Sequence, residues 1–143
     1  MRAVLVDDED LVRRFMGKVL ECFGVDVQVF VDPTECLQHW RRHSGDVQNR
    51  SWADIVVTDV RMPRMSGLDF AKELISGGFE PERIAVMSGS WTDQDVKRLR
   101  ALGCARFAKP IDLSEFKEWL NGTKMALSGQ SESPLDYRQV CRD

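Results

Sequence analysis

Five short apolar runs, at residues 3–7, 25–31, 54–59, 84–88 and 106–109, are separated by intervals that can each hold one helix. Four of them are rich in small and branched apolar residues without sustained apolar–polar alternation, as in strands buried on both faces. The second, with Asp26 and Gln28 between valines, alternates and is expected at a sheet edge. Helical periodicity fills the intervals: Leu11, Phe15, Val19 and Leu20; Leu68, Ala71, Leu74 and Ile75; Val96, Leu99 and Leu102; Leu113, Phe116 and Leu120. Asp32-Pro33-Thr34-Glu35 offers an N-cap, a proline at the first helical position and an acid at the third. Thr92 with Asp95 and Asp112 with Glu115 offer similar starts. Gly24, Gly77 and Gly103 suit helix ends. Strands alternating with helices imply a doubly wound α/β fold, a parallel sheet with helices on both faces, because right-handed crossovers change side where the winding reverses.

That topology gathers polar residues that are far apart in sequence. Asp7, Asp8, Asp59, Ser88 and Lys109 each close one of the runs, and in such sheets ligands sit beyond the carboxyl ends of the strands where strand order reverses. Three carboxylates a few ångströms apart repel one another, so one takes up a proton unless a cation neutralises them. A hard divalent ion such as magnesium suits a partial cage of oxygen donors. Lys109 then offers a mobile point charge for an anion and Ser88 a hydroxyl donor. Taken singly these residues have plainer readings: Asp7-Asp8 as acids at a helix start, Asp59 as a cap before a proline turn, Lys109 as a surface lysine.

Bulk properties narrow the class. The chain of 143 residues fits one compact domain. A net charge of -3 with pI near 5.4 gives no global attraction to nucleic acid. No apolar stretch approaches a membrane span, and the N-terminus lacks a signal-peptide core, so a cytoplasmic location with no membrane partner is the expectation. Cys22, Cys36, Cys104 and Cys141 lack zinc spacing and are read as unbridged structural thiols. His39 and His43, four apart with Arg41 and Arg42 between them, are read as a solvated helix face rather than a metal site.

The segments Val4-Leu5-Val6-Asp7-Asp8-Glu9, Asp59-Val60-Arg61-Met62-Pro63-Arg64-Met65-Ser66-Gly67, Ser88-Gly89 and Lys109-Pro110 together resemble the signature of response-regulator receiver domains, over roughly residues 1–121. The resemblance implies a flavodoxin-like, five-stranded parallel sheet in order 2-1-3-4-5. It implies that Asp59 takes a phosphoryl group from a histidine kinase or a histidine phosphotransfer protein. Asp8, Asp59 and the backbone carbonyl of Arg61 would then ligate Mg2+, or Mn2+ in its place, with Asp7 acting through water. Lys109 would pair with a phosphoryl oxygen, and Lys109-Pro110 would be a cis peptide. The chain would assist its own phosphorylation and slow dephosphorylation without being a metabolic enzyme.

Signalling in such domains uses a hydroxyl, here Ser88, and an aromatic on the fifth strand that together remodel a face of helix 4, strand 5 and helix 5. Three residues before Lys109 stands Arg106, where the family usually carries Tyr or Phe. The loop from Gly103 is one residue shorter than usual, which would let Phe107 serve instead. Strand alternation favours Arg106, because Phe107 shares a face with Lys109. The run Lys97-Arg98-Leu99-Arg100 is either a polar helix face or, with Arg106 and Lys117, a docking surface for an acidic output protein. Trp91, just past the hydroxyl, is placed to report phosphorylation by fluorescence.

Two stretches exceed the plan. Residues 44–52 lengthen one connection, and residues 122–143 read as a tail, flexible or with a short helix from Ser133-Pro134-Leu135-Asp136. The tail carries no helix-turn-helix, so direct nucleic-acid binding is not expected. Two outputs remain open, a phosphorylation-controlled binding switch and a phosphorelay carrier. The alternative of another class is a magnesium phosphohydrolase with an aspartyl-phosphate intermediate. Haloacid-dehalogenase-like enzymes carry a second Asp two residues after the nucleophile, however, and Arg61 stands there.

Overall fold

The computed structural model describes residues 1–44 and 52–129. The expected long connection at 44–52 falls largely outside them, as do the 133–136 helix and Cys141. The described elements run β1 (Arg2–Val6), α1 (Asp10–Cys22), β2 (Asp26–Phe30), α2 (Pro33–Ser44), β3 (Ile55–Asp59), α3 (Gly67–Ser76), β4 (Ile84–Ser88), α4 (Asp93–Leu102), β5 (Ala105–Ala108) and α5 (Leu113–Gly129). The strands form one parallel sheet in the order β2-β1-β3-β4-β5, so the alternating strand is an edge strand, as its pattern requires.

Residues 1–111 form one compact unit. Alternate strand residues split its core by face. Val4, Val6, Val56, Ile84 and Val86 join Leu37 and Trp40 of α2, Phe70 and Leu74 of α3 and Leu99 of α4 in a single cluster. Leu5, Ile55, Val57, Ala85 and Met87 are buried on the opposite side, and α1, which contacts β1 and β2, buries Met16 and Leu20. Burying a side chain of this size stabilises the fold by about 1.5–3 kcal/mol, so both faces are held firmly.

Local signals act where the sequence places them. Thr92 and Asp95 close a reciprocal capping box at the start of α4. Ser66 caps α3 by accepting the Asp69 amide. Gly103 ends α4 in the left-handed region at φ 85°, which disfavours a side chain. Among the described residues no helix is long and apolar enough to cross a membrane.

The second unit begins at Asp112, whose carboxylate accepts the amides of Ser114 and Glu115. Here the observed helix differs from the expected tail: residues 122–129 continue α5. Met125, Ala126 and Leu127 are good helix formers, and the Thr123 hydroxyl bonds back to the Trp119 carbonyl, so Gly122 does not terminate the helix.

The histidines take a local role. Nδ1 of His39 accepts the Trp52 indole N–H at 2.9 Å, and the two imidazoles stack. With Nδ1 accepting, the ring proton of neutral His39 sits on Nε2, leaving neither nitrogen free to ligate a metal.

Candidate active site

The carboxyl edge of the sheet collects the expected residues. Asp59 and Ser88 are the last residues of β3 and β4, while Asp7 and Lys109 lie one residue beyond β1 and β5. The Lys109 ammonium stands 3.0 Å from Oδ1 of Asp59 and 3.3 Å from Oδ2 of Asp7. The Asp7 side chain is fully buried, that of Asp59 is 5% exposed and that of Lys109 18%. The Lys109–Pro110 peptide is cis.

Two features hold the Asp59 end of this arrangement. The Gly67 amide donates to the Val60 carbonyl at 2.9 Å. A Cβ on Gly67 would lie 1.9 Å from the Asp59 carbonyl oxygen, so the start of α3 reaches β3 only because that residue is glycine.

The turn after β1 sorts the acids. Asp7 Oδ1 accepts the Glu9 amide at 2.9 Å, and the Asp7 carbonyl accepts Nη1 of Arg13. Carboxylate oxygens of Asp7, Glu9 and Asp59 lie within 4.8 Å of one another. Asp8, expected as a direct metal ligand, is exposed, and its carboxylate is not part of this group. The Asx-type turn explains the difference: binding the Glu9 amide to the buried Asp7 brings Glu9 back over the crevice, and the residue between them faces solvent. Glu9 is the acid of this group that the sequence did not single out, and its spacing two residues after Asp7 was the available signal.

The charges do not balance, with three carboxylates facing one ammonium. Burial raises the Asp59 pKa. The hydrogen bond and charge of Lys109 pull it back, Asp7 and Glu9 add to the rise, and the net direction is upward. For Lys109, burial works against the ammonium, but its hydrogen bond and attraction to Asp59, together with Asp7, outweigh this and raise its pKa. The two directions have different leading causes: burial outweighs the ammonium at Asp59, and the two acids outweigh burial at Lys109. A cluster of hard oxygen donors with excess negative charge fits a divalent cation of the magnesium class.

The loop after β4 is held from several sides. Ser88 Oγ accepts the Ser90 amide at 3.1 Å, and the Trp91 indole donates to the Phe107 carbonyl at 3.0 Å. Nη2 of Arg61 lies 2.7 Å from Oδ2 of Asp95 and 3.3 Å from the Ser90 carbonyl. That side-chain reach was not legible in the sequence.

On β5, Arg106 is exposed and Phe107 buried, in line with alternation. In the basic run of α4, Lys97 and Arg100 are exposed, whereas Arg98 is ion-paired with Asp69 of α3. Beside Lys109, a groove of about 260 Å³ is lined by Leu11, Val12, Phe15, Met16, Pro110 and Ile111. Leu11 is 80% exposed and Phe15 is also exposed, large apolar side chains left in solvent next to the crevice.

Comparison with known proteins shows the family and the fold. The family model described as "Response regulator receiver domain" matches residues 3–121. The two-component response regulator PhoP of Pseudomonas aeruginosa is 30% identical over 144 aligned residues, which span 100% of this chain and 60% of PhoP. A protein-glutamate methylesterase/protein-glutamine glutaminase of Chromobacterium violaceum is 29% identical over 114 residues, covering 78% of this chain and 30% of that protein. The chain therefore spans only part of these relatives, from under a third to three-fifths of their length. The crystal structure of a response regulator receiver protein from Pseudomonas putida superimposes with a TM-score of 0.72 at 23% identity, covering 85% of this chain and 95% of the other. At that identity the likeness speaks to the fold.

Proposed function

The chain belongs to the response regulator receiver domain family, and from that premise we propose that Asp59 is its phosphoacceptor. The observation that carries this reading is the Asp59 carboxylate, nearly buried at the end of β3, with the Lys109 ammonium at 3.0 Å. An Asp59 oxygen attacks the phosphorus of a phosphohistidine. The new O–P bond forms as the N–P bond breaks, and the imidazole leaves with its electron pair and takes up a proton. Lys109 pairs with a phosphoryl oxygen as charge builds there. Ser88, at the neighbouring strand end, offers its hydroxyl to another.

Mg2+, or Mn2+, would be held by Asp8, Asp59 and the Arg61 backbone carbonyl, with Asp7 through water. Glu9, which stands with Asp7 and Asp59, is a further donor. When bound, the ion neutralises the excess carboxylate charge and that of the transferring group. Asp8 is exposed, so side-chain rotation toward the crevice is not opposed by packing.

The phosphodonor is a histidine kinase or histidine phosphotransfer protein. The apolar groove of Leu11, Phe15, Pro110 and Ile111 suits the apolar flank of a helix whose histidine must reach Asp59 beside Lys109. Exposed Lys97, Arg100 and Arg106 suit an acidic output protein. The reading needs no metabolic turnover, direct nucleic-acid contact or membrane, and it accords with a cytoplasmic location. Residues 1–121 form the receiver domain in this proposal.

The test is incubation with magnesium and acetyl phosphate followed by intact-mass measurement. One base-labile phosphoryl adduct is expected, lost in Asp59→Asn and on chelation. An adduct that persists in Asp59→Asn would falsify the assignment. Turnover of small phosphate esters without a stoichiometric adduct would favour a phosphohydrolase.

A further inference from the structure

Arg61 occupies an unusual position for a cation. It lies two residues after Asp59, yet its guanidinium is bound to the far side of the crevice, on the Ser90 carbonyl and Asp95. The Asp95 Oδ2 that it contacts is the oxygen that accepts the Thr92 amide in the capping box of α4. The Ser90 residue it contacts donates its own amide to Ser88 Oγ. One side chain from the β3–α3 loop thus holds both the β4–α4 loop and the first turn of α4. On β5 an exposed Arg106 stands three residues before Lys109, where the resemblance implies an aromatic sensor.

We propose that the Arg61 side chain is a phosphoryl-responsive latch, holding Ser90 and Asp95 in the unphosphorylated protein and moving to phosphoryl oxygens on Asp59 when that group arrives. The inference rests on Asp59 being the phosphoacceptor. A phosphoryl group carries about -1.5 to -2 charges and offers paired oxygens for a guanidinium fork, against the single charge of Asp95. Arg61 is about half exposed, so packing does not fix it in place. Its move frees the Asp95 carboxylate, and a simultaneous turn of the Ser88 hydroxyl toward the phosphoryl frees the Ser90 amide. The loop then loses both restraints while the Trp91–Phe107 bond and the Thr92 cap remain, and the start of α4 becomes the responsive element.

Arg61→Gln and Asp95→Asn discriminate this latch from a structural ion pair, because each removes one charge of the same ion pair. Asparagine retains an oxygen for the Thr92 amide, and neither change touches the Arg61 carbonyl. The full chain is titrated with beryllofluoride, a phosphoryl analogue, in the presence of magnesium. Tryptophan fluorescence gives the affinity, and hydrogen exchange is followed over residues 90–97. Arg61→Gln is expected to weaken beryllofluoride binding several-fold and Asp95→Asn to tighten it several-fold. Exchange in the segment should rise on binding in the wild type, and should already be raised in both free variants. Shifts of the two variants in the same direction, or in neither, overturn the latch. A wild type that neither binds beryllofluoride nor takes a phosphoryl group from acetyl phosphate overturns the acceptor reading, and the latch with it.

Discussion

The Lys109 ammonium lies 3.0 Å from Oδ1 of Asp59, and the same nitrogen also reaches Asp7, whose side chain is fully buried. Lys109→Met therefore leaves two acids in the crevice without their cation. Breaking a buried pair by removing one partner costs about 3–5 kcal/mol. Urea denaturation at pH 7 is expected to show a loss of this order, smaller in acid, where Asp59, whose folded pKa is raised, takes up its proton. The folded pKa of Lys109 is raised above 10.5, so its contribution is complete below that value. It is lost in alkali, as pH rises through the folded value.

Asp59 titrates in the opposite sense from a salt-bridged surface acid. Its folded pKa is raised, first by burial and then by Asp7 and Glu9. The folded state therefore binds the proton more tightly than the unfolded chain, and the resulting stability is complete at low pH and lost as pH rises through the folded value. Asp59→Asn removes that loss. Its melting temperature at pH 7 is expected to exceed that of the wild type by a few degrees, with the difference vanishing near pH 3. An equal difference at both pH values would contradict the crevice electrostatics.

Asp8 and Glu9 make separable claims on a divalent ion. Calorimetric titration with magnesium is expected to show a tenfold or greater loss of affinity for Asp8→Asn and a smaller loss for Glu9→Gln, since a ligand held at the metal contributes more than a neighbouring charge. The reverse order would assign the direct position to Glu9, with the carboxylates of Asp7, Glu9 and Asp59 already within 4.8 Å of one another.

Gly67→Ala drives a methyl group into the Asp59 carbonyl, 1.9 Å from an ideal Cβ. Backbone must move, because no side-chain rotation relieves the clash. A destabilisation of about 3 kcal/mol is expected, together with slower labelling by acetyl phosphate, because the displaced atoms belong to Asp59, the proposed acceptor. Unchanged labelling in a folded Gly67→Ala protein would detach the α3 start from the chemistry.

The crevice was legible in the sequence wherever it followed from periodicity and topology. Runs ending in Asp7, Asp59, Ser88 and Lys109 can be seen without coordinates, and parallel strands bring their ends to one edge. Arrangements that depend on one turn or one long side chain were not legible. Whether Asp8 or Glu9 faces Asp7 is decided by an amide bonded to the Asp7 carboxylate. The attachment of Arg61 to Asp95 spans 34 residues, and the pairing of Arg98 with Asp69 spans 29; neither has a local signature. Arg98 is thereby withdrawn from the free basic surface that its sequence neighbours suggested. Residues 122–129 continue α5 where a tail was expected, because the residues after Gly122 favour helix although the stretch to 143 as a whole is rich in Gly, Ser, Pro and Gln.

Lys109 and Asp7 touch across 102 residues of chain. During synthesis, Asp7 and Asp59 emerge long before the lysine that pairs with both, and that contact must await closure of nearly the whole sheet. A truncated or partly unfolded molecule would carry the acceptor aspartate without the charge arrangement that serves it. On the proposed reading of Asp59 and Lys109, competence to receive a phosphoryl group is thus confined to finished molecules, and incomplete chains do not draw phosphoryl groups away from them.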